Sequence, residues 1–342
     1  MWKLPIIGFV LAWVLTLVFT PFVRKLAIKF GAVAVPRERD VHKEPLPRWG
    51  GLSMVAAFLV TLGCVYFWSL FRNAQHHIHS PWTGHQSHQF VGIVLGALLI
   101  TVVGAIDDKW EVSAIWQSLA LIAAGGLLFA FGIRIEGIHN PFYESTLPPH
   151  VYDPKSWIQF NPLFSAVATV VWVFGVAKTV DFIDGLDGLA AGVAGICALT
   201  LAFMSAQNGQ YEVTIMSAAL VGVCAGFLRY NFNPASIIMG TVGAQFLGFI
   251  LAATAMVGTI KIAATVSVAL PLLVLGVPIF DGLRVVLTRL VKRTPAYLPD
   301  KTSHIHHVLL NRGYSQKKAV LLIYSLTAGF CLVAIALLRV FH

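Results

Sequence analysis

Three carboxylates, Asp181, Asp184 and Asp187, fall within seven residues of "KTVDFIDGLDGLAAG", in a chain of 342 residues with only 15 acidic side chains. The flanking runs, "ATVVWVFGVA" and "LAAGVAGICALTLAF", are apolar. Carboxylates this close repel, and they stay ionised together only where a cation neutralises them. Asp and Asn oxygens with few thiols suit a hard ion, Mg²⁺ or Mn²⁺. Four further polar stretches carry reactive side chains: "PRERDVHKEPLPRWGG", "GAIDDKWEVSA" with Asp107 and Asp108, "RYNFNPASIIMGTVGAQFLGF", and "PIFDGLRVVLTRLVKRTPAYLPDKTSHIHHVLLNRG". Basic and histidine side chains beside acids suit a phosphorylated substrate. Together they are the parts of metal-assisted phosphoryl transfer: an ion on phosphate oxygens, cations holding charge, and a carboxylate to take a proton. Each part also has a plainer reading: a helix cap for the paired aspartates, turn chemistry for "DGLDG", an interfacial cluster for "HIHH", and a surface anchor for "RLVKR".

The elements that position these residues are membrane helices. The chain is 57% hydrophobic and 11% charged, against about 25% charged in an ordinary globular domain. Ten segments reach toward the roughly 20 apolar residues of a spanning helix: 3–23, 50–71, 90–107, 114–133, 163–178, 188–206, 212–228, 240–259, 262–283 and 319–340. Pro271 and Pro278 predict a break in the ninth. The first lacks a small-residue cleavage site and reads as a retained helix. No long polar block divides the chain, so residues 1–342 read as one integral membrane domain. Cys64, Cys197, Cys224 and Cys331 have no metal spacing and read as core thiols. The histidine-rich 72–89 segment reads as a solvated outer loop.

Ten crossings put both termini on one side. The loops that alternate with them divide the basic residues 18 to 6, out of 24. The richer set is therefore cytoplasmic and both termini lie outside. Asp107, Asp108, Asp181, Asp184, Asp187, Asp281 and Asp300 fall on or beside that face, as do His42, His304, His306 and His307. This distribution speaks against nucleic acid as the partner of the +9 net charge. A phosphoryl-transfer site at a membrane surface, in a chain with no soluble block, implies a lipid substrate.

The five polar stretches, in this order, resemble the motifs of the polyprenyl-phosphate N-acetylhexosamine-1-phosphate transferases, glycosyltransferase family 4. "DFIDGLDGLAAG" is similar to the family signature and "GAIDDKWEVSA" to its paired-aspartate motif. The resemblance implies an all-α polytopic membrane bundle with cytoplasmic active-site loops in a bacterial inner membrane. It implies attack of a polyprenyl phosphate on the β-phosphate of a UDP-amino-sugar, with UMP leaving and Mg²⁺ or Mn²⁺ as cofactor. It leaves room for a homodimer. By the same resemblance, Asp107 or Asp108 serves as base or orienting carboxylate, and Asp184 and Asp187 lie in the nucleotide–metal site. Lys43, Asp281, Arg284, His304, His306 and His307 bind substrate, with Asp281 and Arg284 spaced to pair on a helix, and Lys178, which departs from the family pattern, adds a phosphate-binding charge. The "HIHHVLLNRG" form resembles the branch that uses UDP-N-acetylglucosamine more than the muramoyl-pentapeptide branch.

Two positions depart from the family pattern. The segment "M-G-D-x-G-S" reads "MGTVGA" here, so Thr241 stands where a metal-binding Asp is expected. The pair "N-x-x-N" reads Lys178 and Asp181. Either the site is rearranged, with Asp181 as the displaced metal carboxylate, or the chain is a degenerate member with weak activity. A proton-coupled transporter is the alternative of another class; it predicts ionisable groups at mid-span.

Overall fold

The computed structural model describes residues 3–34, 45–76, 85–140, 157–259, 269–292 and 304–341. Twelve helices run through them: α1 (Lys3–Phe30), α2 (Gly50–His76), α3 (His85–Trp110), α4 (Ala114–Ala130), α5 (Pro162–Ile183), α6 (Leu189–Gln207), α7 (Tyr211–Asn231), α8 (Gly240–Thr259), α9 (Ala269–Val274), α10 (Gly276–Lys292), α11 (Ile305–Asn311) and α12 (Gln316–Phe341). Two antiparallel ladders supplement them, β1 (Val33–Ala34) with β2 (Leu46–Pro47), and β3 (Gly137–His139) with β4 (Trp157–Gln159). The chain is an all-α polytopic membrane protein.

Eight helices among the described residues are long and apolar enough to cross a membrane, and Ala114–Ala130 is a shorter apolar helix. The ten expected crossings are thus eight long helices, one short one, and a ninth segment seen only in part. Residues 262–268 of that segment lie outside the described residues; the remainder is α9 and α10, which runs on to Lys292. Helices also overrun the expected ends. α3 runs past 107 through Asp108 to Trp110, and α5 runs past 178 through Asp181 to Ile183. The 72–89 segment is partly helical, with α2 reaching His76 and α3 starting at His85.

Helix α8 is the centre: it packs against α2, α3, α5, α6 and α7. Its span is 83% buried, against 28% for α1 and α12. The helices of highest mean hydropathy, α1, α3 and α12, are among the least buried. That is the order expected when lipid, not water, covers the perimeter, since lipid offers no hydrophobic drive between helices and small residues make the close contacts. The α1–α7 pair shows it. Gly222 and Gly226, four apart on α7, lie against the backbone of Phe9 and Trp13 and against Thr16, where a Cβ would collide.

Prolines leave carbonyls without their helical N–H, and in a membrane these need another donor. Pro21 deprives Leu17 of its partner, and the Tyr230 hydroxyl of α7 donates to that carbonyl at 3.0 Å. Pro278 likewise deprives Val274. The Cys197 thiol donates to Val274 at 3.0 Å, with Cys331 at 3.8 Å, beside the break at Leu275. Cys197, Cys224 and Cys331 are buried as expected, whereas Cys64 is exposed on the surface of α2.

One end of the bundle is knitted together by loops. Gly50 and Gly51 donate backbone N–H groups to Ile238 and Met239, and Ile238 donates to Pro47. Gly51 lies against the backbone of Gly243, too close for a Cβ. The β1–β2 ladder and the start of α2 are thereby fixed to the N-terminal end of α8, beside the C-terminal ends of α3 and α5.

Candidate active site

The site grows from the turn between α5 and α6. Gly188 adopts φ +77°, which admits glycine readily. Its N–H donates to Asn231 Oδ1 at 3.0 Å, and Asn231 Nδ2 donates to the Ile237 carbonyl at 3.0 Å. Asp187 is buried and accepts from Asn233 Nδ2 at 2.9 Å and from the Ala235 N–H at 3.0 Å. The α7–α8 loop thus clasps the turn and fixes Asp184 between its neighbours.

Asp184 is partly buried, and burial raises its carboxyl well above the usual carboxylate range. The charges of Asp181, Asp108 and Asp187 raise it further. These three come from α5, α3 and the turn itself, so the aspartates that stood apart in sequence converge on one carboxyl. Carboxylates gathered in this way suit a cation, whose charge would let the group ionise at lower cost.

Asp107 and Asp108 are anchored to the start of α8. Asp108 Oδ1 accepts the Thr241 N–H at 2.8 Å and Oδ2 accepts the Val242 N–H at 3.4 Å, at the positive end of the helix dipole. Gly240, at φ +69°, presses its Cα on the Asp108 carboxyl, where any Cβ would collide. The Thr241 hydroxyl donates to Asp107 Oδ2 at 2.6 Å. Thr241 therefore holds both aspartates.

A second network lies one turn further along α8. Lys178 Nζ sits 2.9 Å from Asp181 Oδ2 and donates to Gln117 Oε1 at 2.9 Å. Gln245 Nε2 donates to Gln117 Oε1 at 3.2 Å and to Asp181 Oδ2 at 3.4 Å. Gln117 and Gln245 were absent from the sequence-based candidates. Their signal was an amide inside an apolar helix, a placement that usually has a polar purpose.

The histidines close the other flank. Asp281 is buried on α10 and accepts from the Ile305 N–H at 2.7 Å. Its Oδ2 lies 2.8 Å from His304 Nδ1. The Asp281 carboxylate is thus taken by His304 and the start of α11; the expected Asp281–Arg284 pair does not form, and Arg284 is exposed. His304 and His306 stack with ring centroids 5.3 Å apart, and His307 lies tilted against His306 at 4.3 Å. His306 is 1% exposed and packs on Gly185, where a Cβ would meet its ring. Burial lowers its pKa to about 3, helped by the neighbouring His307 and His304 and opposed by Asp281. Asp281, His304 and His306 offer ligand atoms within 4.8 Å of one another, close enough for a metal ion. Lys43 lies outside the described residues.

The sequence matches the glycosyl transferase family 4 model over residues 90–259. The chain is 32% identical to the probable undecaprenyl-phosphate N-acetylglucosaminyl 1-phosphate transferase of Bacillus subtilis (strain 168), over 97% of this chain and 84% of that protein. It is 32% identical to the decaprenyl-phosphate N-acetylglucosaminephosphotransferase of Mycolicibacterium smegmatis, over 94% of this chain and 79% of that protein. It is 30% identical to the phospho-N-acetylmuramoyl-pentapeptide-transferase of Caldicellulosiruptor bescii, over 98% and 96%. These similarities run through the helices that build the aspartate cluster, and the chain belongs to glycosyl transferase family 4, among its polyprenyl-phosphate N-acetylhexosamine-1-phosphate transferases.

Proposed function

We propose that the protein transfers N-acetylglucosamine-1-phosphate from UDP-N-acetylglucosamine to a polyprenyl phosphate, releasing UMP, at the cytoplasmic face of a bacterial inner membrane. The observation that carries this reading is the convergence of Asp181, Asp187 and Asp108 on Asp184, at the bundle end that also gathers the histidines. The amino-sugar assignment follows the relatives named as N-acetylglucosamine transferases and the "HIHH" form of the last motif.

An oxygen of the lipid phosphate forms the new bond to the β-phosphorus of the UDP-sugar. The bond from that phosphorus to the bridging α–β oxygen breaks, and its electron pair leaves on UMP. Asp184 and Asp187, with Asp181, are the residues to hold Mg²⁺ or Mn²⁺, since hard carboxylate oxygens match these ions. A bound divalent ion would supply charge neutralisation for the diphosphate. Asp107 and Asp108, fixed by Thr241 and the α8 N-terminus, orient the lipid phosphate and accept its proton if it arrives singly ionised. His304, held by Asp281 at Nδ1, presents Nε2 to the diphosphate. Lys43 and Arg284 supply further positive charge by family resemblance.

The test is UMP release by the purified protein given polyprenyl phosphate, a UDP-sugar and Mg²⁺. UDP-N-acetylglucosamine should support it and UDP-N-acetylmuramoyl-pentapeptide should not. UMP from the pentapeptide substrate alone would move the protein to the other branch, and none from any UDP-sugar would make it a degenerate member.

A further inference from the structure

We infer that Lys178 is a resident counter-ion of the aspartate cluster: it shares the cluster with the divalent ion, loosens that ion's binding, and carries part of the diphosphate's charge. This deepens the reading of the cluster as the ion site and rests on it.

The geometry sets Lys178 apart from a surface lysine. Its side chain is 14% exposed and that of Asp181 18%. A lysine near a helix end normally extends its ammonium into water. This one is held by Asp181 Oδ2 and Gln117 Oε1, each at 2.9 Å. Gln245 then fixes both holders by donating to Gln117 at 3.2 Å and Asp181 at 3.4 Å. Three helices, α4, α5 and α8, thus converge to immobilise one ammonium. It stands six residues before Asp184, which caps the same helix, and its partner Asp181 is one of the charges that raise the Asp184 carboxyl.

The consequence is electrostatic. Asp181 acts on Asp184, and Lys178 is bonded to Asp181, so the ammonium bears on the cluster through that carboxylate. A fixed positive charge there opposes a divalent cation, because buried charges are weakly screened. It also ties up Asp181 Oδ2 as a ligand. At Thr241 the hydroxyl is engaged with Asp107 and contributes no charge. The site therefore holds less negative charge for a metal than its five aspartates suggest, and more fixed positive charge for a phosphate. A purely structural ion pair would stabilise the end of α5 without altering either affinity.

Two measurements on the purified full chain separate these roles. Mn²⁺ binding is followed by electron paramagnetic resonance without nucleotide, and UDP-N-acetylglucosamine binding is measured in chelator. Lys178→Gln should tighten Mn²⁺ about tenfold or more and weaken the nucleotide by a similar factor. Lys178→Arg should keep both near the unaltered protein. Lys178→Met, which cannot rejoin the amide network, should behave as Lys178→Gln, and thermal melts verify that each variant is folded. If Lys178→Gln and Lys178→Met leave Mn²⁺ affinity unchanged, the counter-ion role is overturned while the ion site stands. If neither the unaltered protein nor any variant binds Mn²⁺, the ion site itself falls and this inference with it.

Discussion

At the scale of single residues, Asp184 is the most informative side chain. Burial, with Asp181, Asp108 and Asp187 beside it, raises its folded pKa well above the usual carboxylate range. For a carboxyl shifted in this direction, the stabilising contribution is fully present below about 3.8 and is lost as pH rises through the folded value. Without metal, the melting temperature should therefore fall as pH rises past that range, and Mg²⁺ or Mn²⁺ should restore it increasingly at higher pH. Asp184→Asn should remove this pH-dependent component, raise the metal-free melting temperature at neutral pH, and lower turnover by roughly 100-fold or more. Thermal melts across pH, with metal and with chelator, check all three. His306 makes the opposite case. Its pKa is lowered to about 3, so its neutral form contributes stability above about 6.5 that is lost only as pH falls toward 3. It stays uncharged at working pH, and an acid limb between pH 5 and 7 in the rate profile should survive His306→Asn. Disappearance of that limb would assign it to His306.

At the scale of elements, the broken hydrogen-bond ladders give a direct test of the packing. The Leu17 carbonyl is bonded by Tyr230 because Pro21 has no N–H to give it. Tyr230→Phe should destabilise the protein by about 1 kcal/mol. In a Pro21→Ala background, where the helix can supply the N–H, most of that loss should vanish, which a double-mutant cycle in thermal unfolding measures. This level also marks where sequence reading stops. The paired aspartates and the "DGLDG" turn were legible because charge is scarce in this chain and each piece carries several acids. The continuation of α5 through Asp181 was not. A charge ends an apolar window, yet a helix continues through it when the charge is paired, as Lys178 is with Asp181. Gln117 and Gln245 escaped for a related reason: a neutral amide barely changes hydropathy, and its partner lies 128 positions away. Likewise the two prolines foretold the break before Gly276, but not that Cys197 would serve the stranded Val274 carbonyl.

At the scale of the whole molecule, the bundle sorts its polar chemistry to one end and its apolar surface to the rim. The ends of α3 and α5, the starts of α6 and α8, and the α10–α11 histidine group form one face, joined to the β1–β2 ladder through Gly50 and Gly51. A proton-coupled transporter calls for ionisable groups at mid-span, whereas the aspartates of α3, α5 and the α5–α6 turn and the histidines of the α11 start gather at helix ends. If the basic loops are cytoplasmic, the termini lie outside. An alkaline phosphatase fused after His342 should then be active and a green fluorescent protein fused there dark; the reverse pattern would invert the proposed orientation.

The central claim is that this end of the bundle joins a lipid phosphate to a sugar phosphate. UMP release from UDP-N-acetylglucosamine by the purified protein measures it most directly. The predicted result is release that requires polyprenyl phosphate and a divalent ion and falls by roughly 100-fold or more in Asp184→Asn. Absence of UMP from every UDP-sugar offered, with the protein folded and the lipid present, would contradict it.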